Sequence, residues 1–144
     1  MCLADLLNMF KPKAPKPAEY ALGGDDYAKY FMHAKEHLYM WDSTYYLLSF
    51  EDWQKVIADV LAGMPKYLAE KFDCEDFAFL CMSRVLEKYQ LNSMGIAVGN
   101  TVLGYHGFNV FLAQHPEGPK AHILEPQTGT IDPQGYDLDT VIFG

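Results

Sequence analysis

The chain has 144 residues, of which 50% are apolar and 15% aromatic. It is long enough to bury a core and too apolar for a disordered chain. A formal net charge of -8 excludes nucleic acid as a main partner, because phosphate recognition rests on clustered Lys and Arg. No apolar run reaches the length of a transmembrane helix.

Residues 2–10 read as a short helix with Leu3, Leu6, Leu7 and Phe10 on one side. Residues 11–18, KPKAPKPA, form a Pro/Lys linker. The opening helix is thus a docking segment or an arm on its own domain. The N-terminus has no cationic stretch and no small-residue cleavage site, which points to a cytoplasmic chain. The compact domain is expected over 19–144. Gly23 and Gly24 make a break, and Asp25 and Asp26 open a helix predicted to run to about Met40. TYYLL, residues 44–48, reads as extended. Ser49 caps a second helix, whose apolar stripe is Trp53, Val56, Ile57, Val60 and Leu61. Gly63 and Pro65 stop it. A central helix follows over about 74–89, with Phe77, Leu80, Cys81, Val85 and Leu86 on its buried face.

Beyond Asn92 the pattern changes to β-branched and aromatic runs. Residues 94–102, 104–114 and 119–125 read as strands, HPEG as the turn between the last two, and 140–143 as a closing strand. Helices first and an antiparallel meander second make an α+β pattern.

Cys2, Cys74 and Cys81 have neither disulfide-framework nor zinc spacing, so free thiols are expected. Cys74 stands just inside a helix start, in DCEDFA. A helix N-terminus favours the thiolate, and a paired imidazolium favours it further. His106, in GYHGFNV, supplies a candidate imidazole. Strand alternation places His106, Phe108 and Val110 on one face and Asn109 on the other, so His106 turned toward Cys74 sends Asn109 away. Glu125, in LEPQTG, is placed to fix the imidazole tautomer, and Gln127 to donate to an oxyanion. Each residue also has a plain structural use. Cys81 reads as a buried hydrophobe, and His33, His37, His115 and His122 as structural or exposed.

DCEDFA with a later His-x-x-Asn strand resembles bacterial transglutaminase-like cysteine peptidases. GYHGFNV followed by LEPQTG resembles the papain-like C-terminal domain of the Marasmius oreades agglutinin family. The likeness covers about residues 45–130. It implies a papain-like/transglutaminase-like α+β fold: N-terminal helices, and a nucleophile on a central helix packed on an antiparallel sheet. It makes Cys74 the nucleophile, His106 the base, Glu125 the orienting carboxylate and Gln127 the oxyanion donor. It also implies Ca²⁺ as a candidate ion on Asp73 and Glu75, with Asp76 nearby.

Three functions fit these residues. One is a cysteine peptidase or amidase working through a thioester on a protein or peptide substrate. A second is an acyl transferase or deamidase on the same triad. The third is a non-catalytic binding module, such as a phage or bacterial accessory protein. Substrate and oligomeric state are not encoded in any motif.

Overall fold

The computed structural model describes residues 17–144. The expected helix at 2–10, the linker at 11–18 up to residue 16, and Cys2 lie outside the described residues.

Strands β1 (Tyr20–Gly23), β2 (His37–Tyr39), β3 (Thr44–Ser49), β4 (Met94–Thr101), β5 (Gly104–His115), β6 (Gly118–Glu125), β7 (Thr130–Ile131) and β8 (Thr140–Phe143) form one eight-stranded sheet. Three helices accompany it: α1 (Gly24–Ala28), α2 (Phe50–Leu61) and α3 (Cys74–Tyr89). β5 is the axis. It pairs antiparallel with β4 along one side and with β6 along the other, and its end pairs parallel with β3 at Ala113 and Gln114. β8 enters antiparallel to β4, and β2 lies parallel to β8.

The helices α2 and α3 form where the sequence places them. Ser49 Oγ accepts the Asp52 N–H at 3.1 Å, satisfying an orphan donor at the start of α2. Removing that acceptor in Ser49→Ala is expected to cost about 1 kcal/mol, read as a shift of the urea midpoint at constant slope. At the other end Gly63 has φ +65°, a left-handed conformation that glycine takes without a Cβ penalty. Gln90 ends α3 in the same left-handed region.

Two apolar layers hold the sheet. On one face Trp53, Val56, Ile57 and Val60 of α2 and Cys81 and Val85 of α3 pack on Met94, Phe111 and Ala113. On the other, Tyr27 and Phe31 pack on Tyr45, Phe108, Val110 and Phe143. Tyr27 stacks on Tyr45 at 4.2 Å between ring centres, and its hydroxyl donates to the Ser93 carbonyl at 2.8 Å.

This arrangement corrects the expected architecture. The first half is not a run of long helices. The helix predicted over 25–40 ends at Ala28, and the chain then joins the sheet. The Lys35 N–H donates to the Leu138 carbonyl, and those of Glu36 and His37 to Asp139, which steers β2 alongside β8. β1, β2 and β3 all belong to the sheet, two of its pairings are parallel, and strand outweighs helix. The papain-like α+β arrangement, with N-terminal helices and an antiparallel sheet under a central helix, therefore does not describe the molecule.

Candidate functional site

Cys74 begins α3, and the N-terminal turn of that helix lies against Gly107 of β5. A Cβ on Gly107 would stand 3.0 Å from Glu75 Cα, so glycine permits the close approach of helix to strand. The Cys74 Sγ donates to Glu75 Oε2 at 3.2 Å. Burial raises the thiol pKa, a hydrogen bond with the Gly107 backbone opposes it, and the Glu75 carboxylate adds to the rise.

His106 does not pair with the thiol, although its charge is among the smaller influences that lower Glu75. Gly107, Asn109 and Phe111 face α3: the Asn109 amide donates to the Ala78 carbonyl at 2.9 Å and to that of Gly95 at 3.1 Å. By strand alternation His106 projects with Phe108 toward the other face. Asn109, expected to point away from the helix of Cys74, points into it. No hydrogen bond joins Cys74 to His106 among the described residues.

The imidazole has a different partner. His106 Nε2 is 2.6 Å from Glu125 Oε2, and Glu125 is 6% exposed. The Tyr136 hydroxyl donates to that same oxygen at 2.8 Å, and the Gln127 backbone N–H donates to Glu125 Oε1 at 3.0 Å. Burial and the neighbouring Glu125 push the Tyr136 phenol up to about 12. The expected His106–Glu125 partnership is thus present. What Gln127 brings to it is a backbone donor, while its side-chain amide makes no hydrogen bond among the described residues. Tyr136 was missed in the sequence, being an aromatic in an irregular segment with no pattern to mark it.

The acids beside Cys74 divide their work. Asp76 Oδ2 accepts the Asp73 N–H at 3.2 Å and so belongs to the helix cap. Asp73 and Glu75 set carboxyl oxygens within 4.8 Å of each other and of the Cys74 sulfur. Hydrogen bonding to Glu75 raises Asp73. Glu75 is lowered first by its own backbone N–H, then by Asp73 and Cys74. Asp73 Oδ1 is buried without a partner.

No family model and no curated protein matches the chain. Solved structures do match. PSL1a in complex with E64 is 23% identical, with a TM-score of 0.69 over 85% of this chain and 51% of that one. Polyporus squamosus lectin bound to the human-type influenza-binding epitope Neu5Aca2-6Galb1-4GlcNAc is 23% identical, with a TM-score of 0.63 over 85% of this chain and 49% of that one. The likeness is one of fold. The chain spans about half the length of these lectin structures.

These findings correct the resemblance to papain-like and transglutaminase-like cysteine peptidases. One matching structure is titled as PSL1a and the other as Polyporus squamosus lectin, and neither title names a peptidase. The expected cysteine hydrolase is corrected with it on the same neighbours, and the Cys74 thiol is hydrogen-bonded to Glu75 and not to an imidazole among the described residues. A protein or peptide substrate loses its support for the same reasons. Among the described residues no helix is long and apolar enough to cross a membrane.

The raised thiol gives a direct prediction. Iodoacetamide should modify Cys74 more slowly than an unstructured cysteine at neutral pH, with the rate climbing only above the ordinary thiol range. Glu75→Gln removes a charge that opposes the thiolate, so it should accelerate alkylation severalfold at the same pH. Peptide mass spectrometry against pH reads both outcomes.

Proposed function

We propose that the chain is a non-catalytic ligand-binding module whose site is the end of the sheet where His106, Glu125 and Tyr136 meet, with Cys74 and the Gly107 backbone beside it. The observation that carries this reading is the braced His106–Glu125 pair. Its carboxylate receives a tyrosine hydroxyl and a backbone N–H as well as the imidazole. Polar groups held this way cost little further ordering when a ligand arrives. The lectin neighbours support a binding role, since both are titled as complexes, one with E64 and the other with Neu5Aca2-6Galb1-4GlcNAc.

A calcium ion belongs to the same proposal. Asp73 and Glu75 offer hard oxygens, one of them buried and unpartnered, for a cation to take. Asp76, committed to the helix cap, would not join them. Calcium that raises the melting temperature of the wild type, and not of Glu75→Gln, supports this part. An unchanged melting temperature removes the ion.

The test is calorimetric titration of the wild type, Cys74→Ser and His106→Ala with E64 and, separately, with Neu5Aca2-6Galb1-4GlcNAc. Reversible binding weakened tenfold or more by His106→Ala supports the site. Binding that survives the substitution moves the site away from His106. Binding of neither ligand sinks the proposal, and a stable mass increase on Cys74 overturns its non-catalytic character.

A further inference from the structure

A second cluster of side chains lies away from the proposed site, at the hairpin joining β5 and β6. His115 Nε2 and His122 Nε2 face each other at 2.9 Å. His122 Nδ1 is 2.7 Å from Asp132 Oδ2, while Asp132 Oδ1 accepts the Ile123 N–H at 2.9 Å. Asp132 has φ +53°, a conformation aspartate tolerates better than most residues, and it is thereby aimed at the ring. Phe50 packs on both imidazoles, with ring centres 5.1 Å from His115 and 4.7 Å from His122, and Phe111 stacks on His122 at 5.2 Å.

Two features make this more than a structural pair. The Asp132 carboxylate holds the proton of His122 on Nδ1, which turns the Nε2 lone pair toward His115. Of the two facing imidazole nitrogens at most one can then carry a proton, because two N–H groups pointing at each other leave no acceptor between them. The pair is therefore a site for one cation between two nitrogen lone pairs. A carboxylate behind a histidine is the arrangement that orients imidazole ligands in metal centres and raises their basicity.

We propose that His115 and His122 form a two-imidazole site for a divalent late transition-metal ion, with Asp132 as the residue that orients His122. The spacing indicates which ion. At metal–nitrogen distances of about 2.0–2.1 Å, nitrogens 2.9 Å apart subtend an angle of about 90° at the metal. That is the angle between neighbouring ligands in a tetragonal Cu²⁺ or Ni²⁺ site, and narrower than tetrahedral Zn²⁺ prefers. Water would complete the coordination on the side of His115, which is only partly buried.

The experiment is Cu²⁺ titration of the Cys2→Ser/Cys74→Ser protein, which leaves buried Cys81 as the remaining thiol, followed by calorimetry and electron paramagnetic resonance. The expected result is one ion per chain with a two-nitrogen tetragonal spectrum. His115→Ala should weaken binding at least tenfold, and Asp132→Asn by about 10–100-fold. Because His122 is packed between aromatic rings, the half-exposed His115 carries the decisive substitution. A spectrum lacking two imidazole nitrogens, or an affinity untouched by His115→Ala, would overturn the assignment and leave a proton-sharing pair.

Discussion

Glu125→Ala should lower stability by roughly 3–5 kcal/mol and abolish ligand binding at the proposed site. Three donors converge on this one buried carboxylate: the His106 ring, the Tyr136 hydroxyl and the Gln127 backbone N–H. Truncation leaves all three facing a void. The cost of such a change is dominated by the stranded partners rather than by the lost contact. Glu125→Gln keeps the volume but turns one acceptor into an amide donor, so one convergent donor loses its partner. It should cost less, about 1–3 kcal/mol. Urea unfolding followed by circular dichroism separates the two. A loss below 1 kcal/mol for Glu125→Ala would mean that the network does not hold the sheet end in place.

Trp53→Ala should be as damaging, at about 3–5 kcal/mol, with no direct effect on the site. Trp53 is fully buried between α2 and the sheet, 5.1 Å from Phe111 between ring centres. Its indole N–H donates to the Leu112 carbonyl at 3.0 Å. Deleting it removes a large apolar surface, opens a cavity and strands an acceptor at once. Domains of this size have some 5–15 kcal/mol in total, so the variant should be largely unfolded in mild urea. Circular dichroism follows the loss, because Trp53→Ala leaves only Trp41 as an indole, and Trp41 is 70% exposed. A midpoint close to wild type would show that the two helices are held by other contacts.

The parts legible in the sequence are those with local rules. Trp53, Val56, Ile57 and Val60 recur at helical spacing behind a capping serine, and α2 forms there. α3 begins at Cys74, and the strands at 94 and 104 follow their β-rich runs. β1 and β2 were not legible. Each is only three or four residues long, and each exists because a distant strand accepts it: Tyr20 pairs with Leu47, and His37 with Thr140. The run after Asp25 looks helical, but backbone bonds to residues 138 and 139 claim its second half for the sheet.

The same distinction governs the site. His106 and Glu125 lie on neighbouring antiparallel strands and meet as expected. Cys74 and His106 are not joined, because the parity of β5 is fixed by Asn109. Its amide bridges α3 and β4, which by strand alternation puts His106 on the alternate face of β5. Asn109 gave no sign in the sequence that it would anchor the helix. The histidine pair at the hairpin was equally hidden, since His115 and His122 become neighbours only when the turn folds back.

The order of strands in space imposes a timetable on synthesis. β8 slots between β4 and β2, so β2 is made early and waits for the last strand to emerge. Until Thr140–Phe143 leave the ribosome, the outer edge of β4 from Gly95 to Val98 and the whole of β2 present unpaired amides and carbonyls. Open edges are templates for other chains. A nascent chain paused before Thr140 is thus the form most exposed to aggregation and to chaperone capture, and the few residues of β8 close that window.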